Sequence, residues 1–257
     1  AFRAGEQPKM LLVFEVGTAT MMAAKGAIKP VYQLMEETGQ AFDQNAFLGP
    51  VKGYYTTPEG EMLSLPYNAS TPVLYVNKDA LKGAGLDPEM DLTTWEQVGE
   101  ALTALKDAGH ACPLTTAWQS WVHLENLSAW HDVPFATKEN GFAGTDTELA
   151  LNGPVQVKHV ATMGEWAKDG KFVYAGRRNE GGAQFRAGDC ALFTESSAGY
   201  AGVKKEAQFE FAIRPLPYWS GTAAPQNTII GGASIWVMDG HSAEEYKATA
   251  AFLAFLS

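Results

Sequence analysis

Hydrophobic residues recur along the chain with two different spacings, which separate predicted helices from predicted strands. Over residues 95–105 the apolar positions lie three or four apart, which is the spacing of one face of a helix. Thr94 and Gln97 form a capping box at the start of this segment. Ser242 and Glu245 form a second capping box, which predicts a C-terminal helix over the apolar residues that follow.

Short apolar runs predict the strands. Residues 9–14 form such a run and are expected to be a strand buried on both faces. Residues 209–216 alternate apolar and polar positions, as a half-buried strand does, and residues 229–238 predict a strand interrupted by Gly231 and Gly232. Helices are predicted between these strands, so the pattern favours an α/β fold with a parallel sheet.

The remaining elements follow from shorter signals. Further extended segments are predicted at residues 54–55, 61–67, 72–77, 113–116 and 190–193. Further helices are predicted at residues 30–39, 77–84, 118–130 and 155–168. The helix over residues 118–130 would place Trp118 and Trp121 on neighbouring sides of its first turn.

The order of these elements predicts two lobes. Two successive extended segments near residues 65–75 are typical of a crossing between domains, and a return crossing is expected near residues 225–230. One lobe would then comprise residues 1–70 and 230–257, and the other residues 71–229. We expect a ligand-binding cleft between two lobes joined in this way.

Composition narrows the possible functions. The 257 residues are 46 % hydrophobic and 19 % charged, which is typical of a packed protein and excludes a disordered chain. The net charge of −10 argues against nucleic-acid binding through a general basic surface. Seven Trp and nine Tyr supply the aromatic side chains that sugar and polyol pockets need. The apolar runs are much shorter than the ~20 residues of a membrane-spanning helix.

Common catalytic and metal-binding motifs are absent from the sequence. It contains no nucleotide-binding glycine loop, no zinc-protease helix and no nucleophile elbow. The five histidines lie in different elements without metal-ligand spacing, so we expect surface or singly hydrogen-bonded side chains. They are His110, His123, His131, His159 and His241. Cys112 and Cys190 are compatible with a disulfide, which would suit an oxidising compartment, and equally with two buried thiols.

The chain begins and ends inside predicted helices. Residues 1–5 are typical of the last turn of a helix, and residues 251–257 form an apolar helical run without a stop signal. We therefore expect that the 257 residues are part of a longer protein.

A long segment carries a family resemblance. Residues 65–79, followed by Gly85-Leu86-Asp87 and Thr94-Trp95, resemble the domain crossing of bacterial extracellular solute-binding proteins of the maltose-binding type. Four further motifs are similar to those of the periplasmic members that bind sn-glycerol-3-phosphate. They are Phe14-Glu15-Val16-Gly17-Thr18-Ala19-Thr20-Met21-Met22, Trp118-Gln119-x-Trp121, Leu124-Glu125-Asn126 and Ile229-Ile230-Gly231-Gly232-Ala233-Ser234.

This resemblance implies a fold, a function and a location. The fold would be the two-lobed α/β periplasmic-binding-protein fold (type II), incomplete because family members extend beyond both ends of this chain. The protein would bind sn-glycerol-3-phosphate or glycerophosphodiesters in the periplasm and deliver them to the membrane permease subunits of an ABC transporter. It would act as a monomer without catalytic activity, cofactor, metal or nucleic-acid partner.

The resemblance assigns three site residues to the first predicted lobe. Glu15 follows the first strand, where a carboxylate can accept hydrogen bonds from polyol hydroxyls. Ser70 lies in the crossing segment and offers a hydroxyl to a phosphate or to glycerol. Gly232 interrupts a strand, where it either lets a ligand approach the backbone or forms a bulge or hinge.

Three more site residues fall in the second predicted lobe. Trp118 and Trp121 would each give a flat apolar wall with an N–H donor, although one of them could belong to the core. Ser196 would bind an anion or polyol together with free backbone N–H groups, or would simply cap the following helix. Glu195 precedes it and would weaken attraction for a phosphate.

Two alternatives remain at the level of sequence. The first is a maltose-type sugar or other polyol binder, in which the tryptophans stack on sugar rings. The second is a glycoside hydrolase that uses Glu15 and Glu125 as a carboxylate pair.

Overall fold

The computed structural model describes residues 4–24, 26–57, 59–144, 146–222 and 225–257. Residues 1–3, for which the sequence predicts part of a helix turn, lie outside these ranges. The chain divides into two units. Unit 1 comprises Ala1–Ser70 and Ile230–Ser257, and unit 2 comprises Thr71–Ile229.

Strands and helices alternate along most of the chain. The strands are β1 (Met10–Phe14), β2 (Ile28–Lys29), β3 (Leu65–Ser70), β4 (Pro72–Asn77), β5 (Cys112–Thr116), β6 (Phe172–Val173), β7 (Cys190–Ser196), β8 (Phe211–Pro215) and β9 (Gly231–Met238). The helices are α1 (Thr18–Ala23), α2 (Val31–Thr38), α3 (Gly49–Tyr54), α4 (Lys78–Gly83), α5 (Trp95–Asp107), α6 (Asn126–Trp130), α7 (Thr137–Asn140), α8 (Pro154–Lys168), α9 (Gly181–Arg186), α10 (Tyr200–Glu206) and α11 (Ala243–Leu256). Short 3-10 turns lie at Glu15–Gly17, Gln44–Ala46 and Ser197–Gly199, and a π-helical turn at Trp121–Glu125.

In unit 1 the sheet is organised around β9. β1 pairs antiparallel with one edge of β9, and β2 and β3 pair antiparallel with the other edge. Helices α2 and α11 pack on this sheet and bury apolar side chains against it. The shared core consists of Val31, Leu34, Met35, Leu65, Ile235, Val237, Ala250 and Leu253.

The burial predicted for the first strand is wrong. Leu12 is 57 % exposed and Phe14 is 70 % exposed, although the apolar run predicts a strand buried on both faces. Within the part of the chain that the structure describes, β1 is the edge strand of its sheet and pairs with β9 alone. The pairing is also antiparallel, whereas the alternation of strands and helices favours a parallel sheet.

Predictions based on local capping are confirmed, whereas one based on composition is wrong. The Thr94 N–H donates to Gln97 Oε1 at 2.8 Å, the Gln97 N–H donates back to Thr94 Oγ1 at 3.3 Å, and the second box, before α11, is also formed. Residues 54–55 are predicted as extended, but Tyr54 ends α3. Pro50 lies in the first turn of α3, where its fixed φ favours a helix start.

Unit 2 contains a mixed sheet in the order β6-β5-β7-β4-β8. β5 is parallel to β6 and β7, whereas β4 is antiparallel to β7 and β8. Helices α5 and α8 cover the sheet, and their Trp95 and Trp166 rings lie 6.3 Å apart in the core.

Cys112 and Cys190 form a disulfide. They stand opposite each other at the start of β5 and β7, and their Cα atoms are 4.5 Å apart. Of the two possibilities compatible with the sequence, the bonded one is present. The bond joins residues 78 positions apart and therefore restricts much of unit 2 in the unfolded chain.

Reduction of this disulfide is expected to lower the free energy of unfolding by about 2–4 kcal/mol, because the unfolded chain regains the entropy of a long loop. Denaturant unfolding with and without a reducing agent measures the difference. The Cys112→Ser/Cys190→Ser double variant is the control and should unfold identically in both conditions. Superimposable curves for the unmodified protein would contradict the expectation.

Buried histidines form a hydrogen-bonded network in unit 2. Trp219 Nε1–H donates to His159 Nδ1 at 3.1 Å, so neutral His159 carries its proton on Nε2 and donates to His123 Nδ1 at 2.9 Å. His123 Nε2 then carries a proton and lies 3.0 Å from Thr116 Oγ1 and 3.1 Å from Thr194 Oγ1. The expectation of surface or singly bonded histidines is therefore wrong for His123 and His159, because the fold joins elements that are distant in sequence. It is also wrong for His131, which is buried, bonds to the Leu127 carbonyl oxygen through Nδ1 and accepts from the Trp219 N–H through Nε2.

Burial keeps this pair uncharged at neutral pH. Loss of water around the ring lowers the pKa of His123 to about 4 and the pKa of His159 well below its usual range. In the unfolded chain a histidine titrates near pH 6.5. The unfolded state therefore binds more protons between about pH 6.5 and pH 4, and stability falls as the pH is lowered through this window.

The lowered pKa of His123 alone is expected to reduce the free energy of unfolding by on the order of 2–3 kcal/mol when the pH is lowered from 7 to 4. In His123→Gln, an amide can accept and donate in place of the two ring nitrogens without titrating. Unfolding measured at several pH values should show a smaller acid loss in the variant than in the unmodified protein. Parallel pH profiles for the two proteins would refute the assignment.

Candidate functional site

In unit 1 three predicted site residues lie at one edge of the sheet. Glu15 directly follows β1, whose last residue pairs with Ala233. Ser70 ends β3 opposite Gly231, and Gly232 lies opposite Ala69. The carboxyl ends of β1 and β3 thus meet the beginning of β9. Such edges are where open α/β sheets bind ligands.

Two tyrosines support the turn that carries Glu15. Tyr54 Oη donates to the Glu15 carbonyl oxygen at 3.1 Å, and the rings of Tyr54 and Tyr55 pack edge to face at 5.2 Å. Burial and then the Glu15 charge raise the pKa of Tyr55 well above its usual range. The sequence pattern predicts an extended segment at these tyrosines and contains no signal that they support the site.

Gly232 is required by the contact between β3 and β9. Its φ is +117°, and a Cβ at this position would overlap the carbonyl oxygen of Asn68. The pairing of β3 with β9 is irregular between Pro66 and Asn68, which brings the two backbones close together. The bulge interpretation of Gly232 therefore applies, and its contact with a ligand stays a prediction.

Gly232→Ala is expected to destabilise the protein by at least about 1–3 kcal/mol, because it adds an unfavourable φ and a steric overlap. Gly164→Ala in α8 is a matched control. Gly164 lies in a helix and nothing would lie within 4 Å of its new Cβ, so this variant should be neutral or slightly stabilising. Thermal unfolding compares the two variants, and equal effects would contradict the role given to Gly232.

The second group of predicted residues lies at or just beyond the carboxyl ends of β5 and β7. Thr116 pairs with Thr194 in these strands. Trp118 comes two residues after Thr116, and Ser196 comes two residues after Thr194. The N–H of Trp118 donates to the Arg178 carbonyl oxygen at 2.8 Å. The sheet therefore brings Trp118 and Ser196 to the same edge.

Trp118 is not part of a helix, contrary to the prediction from the pattern. Its φ is +49°, a value that bulky residues rarely adopt, and its side chain is 38 % exposed. Trp121 begins the π-helical turn, is only 9 % exposed and packs in the core of unit 2. Its indole nitrogen has no hydrogen-bond partner among the described residues. The core interpretation left open by the sequence thus fits Trp121, and its contact with ligand stays a prediction.

Ser196 caps the turn that follows β7. Its Oγ accepts from the N–H of Ala198 at 3.1 Å, as the capping interpretation expects. Ser197 instead bonds to Thr71: its N–H donates to the Thr71 carbonyl oxygen at 2.8 Å, and its Oγ accepts from the Thr71 N–H at 3.1 Å. Ser196 is half-buried and Ala198 is exposed, so this turn is accessible to solvent.

Glu195 lies beneath this edge and is only 5 % exposed. Burial raises its pKa to about 7, although the Ser196 N–H, the Trp118 side chain and the Arg186 charge all favour the ionised form. The sequence identifies Glu195 only as an acidic neighbour of Ser196, because burial depends on the strand's position in the sheet.

Arg178 is a further residue at this edge, and the sequence motifs do not identify it. Its backbone holds Trp118, and its side chain is exposed. The available signal was the Gly176-Arg177-Arg178 segment, a basic pair after a glycine.

The residue group of unit 1 offers a carboxylate and a hydroxyl, and that of unit 2 offers indoles, a hydroxyl and a carboxylate. In the ranges that the structure describes, no group of three or more His, Cys, Asp or Glu could hold a metal ion. None of the helices in those ranges is both long and apolar enough to span a bilayer. Hydroxyl, N–H and carboxylate groups are suited to hydrogen bonding with a polyol or a phosphate.

Sequence comparisons identify close relatives. A family model described as bacterial extracellular solute-binding protein matches residues 1–257. The sn-glycerol-3-phosphate-binding periplasmic protein UgpB of Pectobacterium atrosepticum is 49 % identical over 259 aligned residues, which cover all of this chain and 58 % of that protein. UgpB of Escherichia coli K12 is 50 % identical, with 100 % of this chain and 59 % of that protein covered. The chain thus spans under three fifths of the length of these relatives.

Solved structures share the fold. UgpB from Mycobacterium tuberculosis in complex with glycerophosphocholine has a TM-score of 0.79 at 21 % identity. The alignment covers 99 % of this chain and 64 % of the M. tuberculosis chain. Maltose-bound MalE3 of T. maritima has a TM-score of 0.76 at 16 % identity, and the alignment covers 99 % of this chain and 63 % of the MalE3 chain. These likenesses confirm the predicted α/β fold of periplasmic solute-binding proteins.

Proposed function

Because the chain belongs to the family of bacterial extracellular solute-binding proteins, we propose that it is part of the solute-binding component of an ABC importer. Its solute is sn-glycerol-3-phosphate or a glycerophosphodiester. The observation that carries this proposal is the sequence identity of 49 % and 50 % with two sn-glycerol-3-phosphate-binding periplasmic proteins along the whole chain. The location of the predicted site residues at strand ends supports it.

The edge of unit 1 supplies groups for a glycerol moiety. The carboxylate of Glu15 accepts hydrogen bonds from two neighbouring hydroxyls, and the Ser70 hydroxyl donates to or accepts from the solute. Gly232 leaves the start of β9 without a side chain, so that the solute can approach the backbone.

The edge of unit 2, taken by itself, has an apolar wall and hydrogen-bond donors that suit a phosphate. The exposed indole of Trp118 provides an apolar face and an N–H, and Ser196 provides a hydroxyl. Trp121 lies in the core of unit 2, and its buried indole N–H has no hydrogen-bond partner among the described residues. Neutral donors of this kind bind an anion although the chain carries a net charge of −10, because short-range hydrogen bonds outweigh distant screened charges.

The protein works by binding rather than by catalysis. It captures its solute in the periplasm and passes it to the membrane permease subunits. A disulfide between Cys112 and Cys190 is consistent with that oxidising compartment.

Calorimetric titration of the protein tests the choice of solute. We expect saturable binding of sn-glycerol-3-phosphate or glycerophosphocholine and no binding of maltose, because the proposed donors suit a phosphate. Glu15→Gln should weaken binding about tenfold or more, since hydrogen bonds to a charged acceptor contribute roughly 1.5–3 kcal/mol.

Glu36→Gln provides the control for the loss of a carboxylate. Glu36 is exposed on α2 of the same unit, so its variant should bind as the unmodified protein does. Binding of maltose alone would support a sugar-binding protein instead. Turnover of a glycoside that Glu15→Gln abolishes would support an enzyme.

A further inference from the structure

The buried carboxylate of Glu195 lies where an anionic solute is proposed to bind. Its Oε1 accepts a hydrogen bond from the Ser196 N–H at 2.7 Å, and its side chain also interacts with the Trp118 side chain. A Cβ added to Gly199 would lie only 3.0 Å from Glu195 Cγ, so a glycine at this position leaves room for the carboxylate arm. The carboxylate is therefore packed against the groups that would face the solute.

We propose that Glu195 acts as a built-in anion that occupies the Trp118 and Ser196 donors in the solute-free protein and releases them when it takes up a proton. This inference rests on the proposed function, in which the same edge receives a phosphate. Glu195 would thus determine specificity, because it decides when the donors are available to an anion.

The geometry explains why the two donors respond together. Trp118 has a positive φ and is held through its backbone by Arg178 and Val122, so the direction in which its side chain leaves the backbone is fixed. The Ser196 N–H belongs to the end of β7 and is fixed by the sheet. An ionised carboxylate accepts from both donors, whereas a protonated one must use one oxygen to hold the proton.

The charged groups around Glu195 come from the elements packed against it. Arg186 on α9 is the facing cation, and its Nε also donates to Glu206 on α10 at 2.7 Å. Tyr75 on β4 is the facing phenol: its Oη donates to the Ser196 carbonyl oxygen at 3.0 Å, and burial with the Glu195 charge raises its pKa. Arg186 is shared with Glu206, so it leaves the Glu195 charge incompletely compensated.

Burial dominates this balance and raises the pKa of Glu195 to about 7. The carboxyl group therefore changes charge near neutral pH. A phosphate placed beside it would raise the pKa further, because the two negative charges repel each other. By linkage, solute binding is accompanied by proton uptake, and affinity rises as the pH is lowered through neutrality.

Glycerophosphocholine is the appropriate probe, because its phosphodiester and quaternary ammonium do not titrate near pH 7. Calorimetry between pH 6 and pH 8 should show affinity rising several-fold as the pH falls, with a limit of tenfold per pH unit for one linked proton. Parallel titrations in buffers of different ionisation enthalpy should show net proton uptake. Both measurements use the unmodified protein and do not depend on the folding of a variant.

Glu195→Gln removes the titration and keeps the shape of the side chain. This variant should bind glycerophosphocholine with little pH dependence, and at pH 8 more tightly than the unmodified protein. Glu165→Gln is the matched control, because Glu165 is exposed on α8 of the same unit, and it should keep the original pH profile.

A readout without solute separates this inference from the proposed function. The indole N–H resonance of Trp118, assigned by its loss in Trp118→Phe, should shift with pH around neutrality in the unmodified protein and not in Glu195→Gln. A titrating indole in a protein that binds neither sn-glycerol-3-phosphate nor glycerophosphocholine would overturn the proposed function and uphold the link between Glu195 and Trp118. Binding with no pH dependence and no proton uptake would overturn the role of Glu195.

Discussion

The parallel register between β5 and β7 is the constraint on which unit 2 depends. It sets Cys112 opposite Cys190 at one end of the pair and Thr116 opposite Thr194 at the other. The first pair forms the disulfide, and the second receives the histidine network. Since side chains alternate along a strand, a shift of one residue would turn these groups to the opposite face. The same register brings Trp118, two residues after β5, and Ser196, the last residue of β7, to one edge.

β9 has the corresponding role in unit 1. Its first residues pair with the end of β3, and Glu15 follows the strand on its other side. The close approach of β3 requires Gly232, so the backbone without a side chain at this edge has a structural origin. The Asn68 carbonyl group fills the position that a side chain would take, so packing alone accounts for the glycine, and its contact with a solute stays a proposal.

Local signals in the sequence predict much of the secondary structure. Thr94 and Gln97 mark the start of α5 because a capping box uses only neighbouring residues. Trp118 shows where such reasoning fails, since its positive φ depends on a hydrogen bond to the distant Arg178 backbone. The exposure of Phe14 likewise depends on which strand pairs with β1, and the composition of an apolar run does not specify that partner. For the candidate site, motifs identify its residues, whereas the burial of Glu195 follows only from the fold.

Two buried titratable groups of unit 2 respond to acid in opposite ways. His123 has a pKa lowered by burial, so the unfolded chain binds more protons than the native state below about pH 6.5, and acid destabilises the fold. Glu195 has a pKa raised by burial, so between its usual range and about pH 7 the native state binds more protons, and lowering the pH stabilises the fold. The two contributions partly cancel between about pH 4.5 and pH 6.5. The buried carboxyl group of Glu195 therefore also offsets part of the acid sensitivity that the histidine network introduces. Only a comparison of variants at each residue separates the two effects, because the unmodified protein reports their sum.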